Sequence, residues 1–160
     1  MEEKGRPLEE LSRSFPGKLR EAPGLGGDDA FLIDRDVLLA CARRLKEKPL
    51  DYAMLLDLTC VDYLAGEAVL EMVYTFFSLR RGHRLRLKVR LPQNDLRVDS
   101  LTPLWKNADW LEREVFDLFG VRFEGHPDLR RILLYDGFEG HPLLKSYPLR
   151  RRQPRLPLRK

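Results

Sequence analysis

Residues 70–91 read LEMVYTFFSLRRGHRLRLKVRL. Two apolar runs flank Leu79-Arg80-Arg81-Gly82, which predicts a β-hairpin: one strand ending near Ser78, a turn, and a return through His83 to Leu91. On the return strand Leu85, Leu87, Val89 and Leu91 alternate with Arg84, Arg86, Lys88 and Arg90, so one face enters a core and the other carries a row of cations. Pairing Ser78 with His83 sets Phe76 against Leu85, Tyr74 against Leu87, Met72 against Val89 and Glu71 against Arg90, apolar on apolar along one face. Four like charges in a row repel one another. They stand in solvent, neutralise acidic side chains of neighbouring strands, or meet an acidic partner.

Upstream of the hairpin, residues 52–63 form a Leu-rich stretch containing Asp57 and Asp62, read as mainly strand. Residues 30–33 read as a short strand. Asp34 or Asp36 then caps a helix carrying Val37, Leu38, Ala40, Cys41 and Leu45, which ends in basic residues before Pro49. A short helix is expected around residues 8–15, broken by Pro16. The glycine-rich stretch that follows, 24–27, reads as a flexible connector: no strand precedes it and no lysine follows in the place a phosphate loop requires.

Downstream, residues 105–148 read WKNADWLEREVFDLFGVRFEGHPDLRRILLYDGFEGHPLLKSYP. Asn107 or Ala108 opens a helix that runs to Phe119, with Asp109 in the first turn and Gly120 as a left-handed cap. At the helical period Trp110, Leu111, Val115, Leu118 and Phe119 share an apolar face, while Arg113 and Asp117 pair in solvent on the opposite side. Glu114 falls between Trp110 and Leu118 in that apolar sector. An ionised carboxylate there requires a partner, and His126, Arg130 or Arg131 is expected to supply it, unless Glu114 reaches water at the rim. A phrase then repeats: Phe123-Glu124-Gly125-His126-Pro127-Asp128-Leu129-Arg130 is echoed by Phe138-Glu139-Gly140-His141-Pro142-Leu143-Leu144-Lys145. Glu124, His126, Glu139 and His141 are chemically suited to zinc or iron, but their spacing matches no helix-borne or knuckle-type ligand pattern. The favoured reading is an irregular, proline-stiffened segment whose His and Glu side chains satisfy backbone groups that no ladder reaches.

The segment Leu111-Glu112-Arg113-Glu114-Val115-Phe116-Asp117-Leu118-Phe119-Gly120, with Phe123, Gly125-His126-Pro127-Asp128-Leu129-Arg130-Arg131-Ile132-Leu133, Gly140-His141-Pro142-Leu143, Lys145 and Tyr147-Pro148, closely resembles the C-subunit family of the proton-pumping NADH-quinone oxidoreductase. A weaker likeness reaches back through Leu56-Asp57-Leu58-Thr59 and Val61-Asp62-Tyr63. The resemblance implies a structural and assembly subunit of the peripheral arm on the cytoplasmic side of the membrane. It implies no cofactor in this chain, FMN and iron–sulfur clusters in its neighbours, and contacts with the D subunit and the cluster-bearing B and I subunits. Glu112, Arg113, Glu114, Asp117, His126, Asp128, Arg130, Arg131, His141 and Lys145 are then expected to contact partners or brace the docked segment, and none to be catalytic. The same domain type also implies, as an alternative, a membrane-bound hydrogenase or another complex with a different electron donor.

Length and composition agree with one domain: 160 residues with 43% hydrophobic content suffice for a single core. No apolar run approaches the roughly 18 residues of a membrane span, and the charged, proline-containing N-terminus lacks a signal-peptide pattern, so a cytoplasmic chain is expected. Cys41 and Cys60 are the only cysteines; both lie in apolar patterns and read as buried thiols. A net charge of +4 and a pI near 9.2 raise a nucleic-acid reading. No helix-turn-helix, zinc-finger or ribonucleoprotein signature accompanies it, and much of the excess sits in residues 149–160. That tail is basic, proline-bearing and too short for a core, so alone it should be disordered. The expected architecture is a two-layer α+β domain over 1–148, with helices on one face of a largely antiparallel sheet and an extended C-terminal arm.

Overall fold

The computed structural model describes residues 7–24, 26–63 and 69–154. Leu25 of the glycine-rich connector and residues 155–160 of the tail lie outside them. Strand β1 (Leu19–Glu21), β2 (Asp29–Ile33), β3 (Met54–Tyr63), β4 (Val69–Ser78) and β5 (His83–Pro92) form one sheet in the order β1-β2-β5-β4-β3. The hairpin takes the register its side-chain pattern dictates, with Ser78 opposite His83, Phe76 opposite Leu85 and Glu71 opposite Arg90. All pairings are antiparallel except β2 with β5. Sequence pattern left the strand order open, because a parallel pairing between strands far apart in the chain is a tertiary choice.

One face of the sheet is the core. Met72, Tyr74 and Phe76 on β4 and Leu85, Leu87, Val89 and Leu91 on β5 are fully buried. Against them pack α1 (Pro7–Ser14) through Leu11, α2 (Leu38–Lys46) through Leu38, Cys41, Ala42 and Leu45, and α3 (Ala108–Phe119) through Ala108, Val115 and Phe119. Cys41 and Cys60 are buried free thiols, and desolvation pushes each up to about 12, so neither is a thiolate at neutral pH.

Three local expectations give way to tertiary alternatives. Asp34 and Asp36 make no cap hydrogen bond; both reach Lys18 Nζ, at 3.0 and 3.1 Å, and a 3-10 turn over Arg35–Val37 leads into α2. Leu19–Glu21, between the short helix and the glycine-rich connector, adds an edge strand to β2 where no strand was expected. A second, parallel pair joins β6 (Arg97–Asp99) to β7 (Arg122–Glu124), three residues each and too short for a periodic signal. Val98 and Phe123 from this pair enter the core, which places the start of the repeated phrase beneath α3.

The cation row on β5 is partly neutralised from within the chain. Arg84 and Arg86 reach Asp28 at 3.5 and 2.9 Å, and Lys88 and Arg90 reach Glu71 at 3.4 and 3.5 Å.

Candidate functional site

Helix α3 is buried on two sides, and this corrects the single apolar face expected of it. Ala108, Glu112, Val115 and Phe119 recur at four- and three-residue intervals and face the sheet, while Arg113 and Asp117, on the opposite side, are buried beneath the C-terminal arm. Trp110, placed by periodicity in the apolar stripe, is 61% exposed. Glu114 is exposed as well, so the expected lock through His126, Arg130 or Arg131 is not formed. The buried carboxylates are its neighbours Glu112 and Asp117, each 0% exposed.

Asp117 is the hub of the arm. Its Oδ2 accepts the backbone N–H groups of Ile132, Leu133 and Leu134 at 3.1, 2.8 and 2.8 Å. Its Oδ1 accepts Arg131 Nη1 at 2.8 Å, and its main-chain carbonyl accepts His141 Nδ1 at 2.9 Å. Burial works to raise the Asp117 pKa, but the bonds from Leu134, Arg131, Leu133 and Ile132 outweigh it and hold the carboxyl below the ordinary 3.8. The predicted solvent pair between Arg113 and Asp117 is therefore replaced. Arg113 donates to the carbonyls of Arg130 and Arg131, both at 3.2 Å, and stacks over Trp110. Arg131, which follows the first copy of the repeated phrase, also donates to Gly140 O in the second at 3.1 Å.

The two histidines have fixed tasks. His126 Nδ1 accepts the Asp128 N–H at 3.0 Å, which places its proton on Nε2, 3.1 Å from Asp109 Oδ1 and 3.3 Å from Asp109 O. His141 donates from Nδ1 to Asp117 O and packs against Gly120; a Cβ on Gly120 would lie 2.8 Å from the imidazole, and φ is +78° there, so both space and backbone require glycine. Both rings thus bond main-chain carbonyls of α3; Asp109 lies in the first turn of that regular helix, so the histidines fasten to the helix rather than only to backbone that no ladder reaches. Glu139 pairs with Arg151, and among the described residues no three His, Cys, Asp or Glu side chains form a group able to hold a metal. Asp128 and Arg130 pair with each other at the surface, 2.8 Å apart.

Lys145 takes part through its backbone: its N–H donates to Asp62 Oδ2 at 2.8 Å, joining the arm to β3. In the sequence Asp62 stands as a polar residue inside a strand and within the weaker family likeness, with no role attached to it. Leu143 N–H adds a bond to Leu118 O at 3.1 Å. Further along, Phe138 meets Tyr135 edge-on and stacks with Tyr147. Residues 149–154 close over this cluster by this chain's own side chains: Gln153 bonds Glu139 and the Tyr147 hydroxyl, and Tyr135 donates to Pro154 O.

Glu112 sits at the sheet side of α3. Its Oε1 accepts Leu101 N–H at 2.6 Å and its Oε2 is 2.7 Å from Ser100 Oγ, which also contacts Thr102. Burial raises its pKa to about 7, opposed by the Ser100 and Leu101 bonds and aided by Asp109. No cation faces it within salt-bridge distance among the described residues. Outward from the braced helix and arm, Trp110, Leu133, Leu143 and Leu149 present apolar side chains that are at least half exposed.

Residues 31–153 match the family model described as respiratory-chain NADH dehydrogenase, 30 kDa subunit. The C subunit of NADH-quinone oxidoreductase from Geobacter sulfurreducens is 41% identical over 150 residues, covering 93% of this chain and 92% of that one. The C/D subunit of the same enzyme from a Psychrobacter species is 40% identical over 150 residues, which span 89% of this chain and 25% of that much longer one. Among solved structures, the trypsin-resistant fragment (1-134) of Nqo5 superposes with a TM-score of 0.66 at 32% identity, covering 76% of this chain and 96% of that chain.

Proposed function

Because the chain belongs to the family of the respiratory-chain NADH dehydrogenase 30 kDa subunit, relatives of which are subunits of NADH-quinone oxidoreductase, we propose that it is a cofactor-free assembly subunit of the peripheral arm, on the cytoplasmic side of the membrane. Electrons pass from NADH through FMN and iron–sulfur clusters in neighbouring subunits to quinone. This chain holds those neighbours in place, with the D subunit its main contact and the cluster-bearing B and I subunits beside it.

The observation that carries this reading is the Asp117 hub. One buried carboxylate gathers three backbone N–H groups and an arginine of an irregular segment that no strand ladder satisfies. Such an investment fixes a long arm in one conformation, and a pre-ordered arm binds without the entropic cost of ordering it. Trp110 and Leu133 are 61% and 62% exposed, a large aromatic and an apolar side chain left open to a partner, and aromatic anchors dominate interface energetics. Arg113, Asp117, Arg131, His126, His141 and the Lys145 backbone brace the arm; Glu112 braces the opposite side of α3; Glu114, Asp128 and Arg130 are exposed and suit the partner's polar rim. The Psychrobacter relative, whose name joins C and D, supports the D subunit as the neighbour. We place residues 1–148 in one domain and 149–160 as its appendage.

The test is to tag the chain, purify it from gently solubilised native membranes, identify what accompanies it, and assay iron–sulfur absorbance and NADH-dependent quinone reduction. Partners with flavin, clusters and that activity are expected. Clusters with reduction by another donor, such as hydrogen, would move the chain to a sister complex. A lone chain with bound metal or oligonucleotide would refute the subunit reading.

A further inference from the structure

All described helices pack on one face of the sheet, and the register sorts the opposite face into two halves. On β3 and β4 it carries Met54, Val61, Tyr63, Val73 and Phe77, of which Met54 and Tyr63 are 41% and 48% exposed and the others half-buried. One strand away, about 5 Å, β5 carries Arg84, Arg86, Lys88 and Arg90. Among the described residues Asp28 and Glu71 are the carboxylates that meet them, four cations on two acids. Arg20 and the exposed Asp57 lie on the same face by register and cancel, leaving a surplus of two positive charges.

The surplus is placed unevenly. Arg86 and Lys88 side chains are 16% and 19% exposed, sunk against their carboxylates. The end residues Arg84 and Arg90 are 48% and 58% exposed, and each only reaches its acid at 3.5 Å. Six residues of strand separate them by about 20 Å. Two guanidinium forks so far apart do not match a nucleic-acid backbone, which places charge every few ångström. They match two carboxylates set on a folded surface, with the planar geometry that arginine uses for bidentate pairing. Beside them, on β3 and β4, lies largely uncharged strand surface suited to apolar contact.

We propose that this bipartite face docks a neighbouring protein subunit presenting an apolar ridge bordered by carboxylates, a second contact on the side of the sheet away from the arm. The proposal rests on the reading of the chain as a subunit of a larger complex. It assigns the exposed Met54 and Tyr63 and the half-buried Val61, Val73 and Phe77 to the ridge, and Arg84 and Arg90 to its acidic border.

The test uses the assembled complex with a photo-crosslinking benzoylphenylalanine at Met54, and separately at Leu133 on the arm as control. The Met54 probe is expected to capture a co-purified subunit at a segment containing Asp or Glu. Arg84→Glu with Arg90→Glu should lower that yield on the order of tenfold and leave the Leu133 capture intact, which shows that the chain still folds and assembles; the Gln pair, which sets no new charge against Asp28 and Glu71, should act in the same direction, less strongly. Capture of lipid or nucleic acid at Met54, no capture, or a yield indifferent to both charge variants, with Leu133 still captured, overturns the face assignment alone. Loss of capture at both positions in a chain that brings down no partner overturns the subunit reading beneath it.

Discussion

Glu112 makes stability fall as pH rises toward neutrality. Its carboxyl is fully buried, bonded to Ser100 and Leu101, and raised by burial from the ordinary 4.5 to about 7. Below pH 4.5 the group is protonated in both folded and unfolded chains and contributes no pH dependence. Between 4.5 and 7 the unfolded chain has lost the proton while the native one keeps it, so stability declines with rising pH. Above 7 both are ionised and the penalty is constant. A displacement from 4.5 to about 7 corresponds to about 3 kcal/mol at roughly 1.4 kcal/mol per unit, or on the order of 10 °C in Tm for a domain of this size.

Glu112→Gln isolates the effect. Gln keeps an oxygen for the Leu101 N–H, and its amide donates to Ser100 Oγ, whose proton turns toward Thr102. Wild type and variant are unfolded in urea at intervals from pH 4.5 to 8.5. The stability of wild type minus that of the variant is expected to fall by about 3 kcal/mol across pH 4.5 to 7 and then level off. A constant offset shifts the curve without changing this slope. A difference that does not change with pH, or one that rises, refutes the assignment of a neutral carboxyl at 112.

Four further outcomes follow from the arm. Asp117→Asn removes a charge-assisted pair and weakens three backbone bonds, so exchange of the Ile132, Leu133 and Leu134 amides should accelerate about 30-fold or more, equivalent to roughly 2 kcal/mol, while β4 amides hold; unchanged arm protection would remove Asp117 from its role. Since its pKa is lowered, the Asp117 contribution is fully present above the ordinary 3.8 and lost as pH falls below it, so arm protection should collapse in acid, opposite in sign to Glu112. Gly120→Ala places a side chain at φ +78° and against His141, and should lower stability by about 2 kcal/mol; a melting curve identical to wild type would contradict the close approach. Truncation after Pro148 should leave the Tm nearly unchanged while speeding exchange around Phe138 and Tyr147 and weakening retention in the complex; full retention would exclude a clamp role for the tail.

The hairpin was legible to the residue pair because each constraint on it is local: period-two alternation, a short turn, and one face that must be apolar. The cap of α3 was legible for the same reason, since Gly120 follows the last apolar residue of the helix. What escaped was set by partners distant in sequence. Asp34 and Asp36 satisfy every local rule for a cap, yet Lys18 claims both. For α3 the sequence pattern assumes one buried side, and a helix buried on two sides violates that assumption: periodicity runs the apolar stripe through Trp110 and Leu118, sets Glu114 inside it, and leaves Arg113 and Asp117 as a solvent pair. Ten residues were singled out by family likeness, and geometry now separates those that brace from Glu114, Asp128 and Arg130, which are exposed.

The second buried side of α3 also explains why charge rather than hydrocarbon sits there. Residues 130–134 run past the helix without strand or helix bonds of their own, so their N–H and carbonyl groups need partners from side chains. An apolar residue at 117 would bury three N–H groups unsatisfied, each costing about 1–3 kcal/mol, more than a leucine gains there by burial. Arg113 answers the complementary need, donating to the carbonyls of Arg130 and Arg131. The pair therefore forms a template: an acceptor at 117 for the donors of the arm, and a donor at 113 for its acceptors, one turn apart on the same side of the helix. The spacing of four residues that suggested a simple surface ion pair is the spacing that lets one helical turn bind both sets of backbone groups of an extended chain.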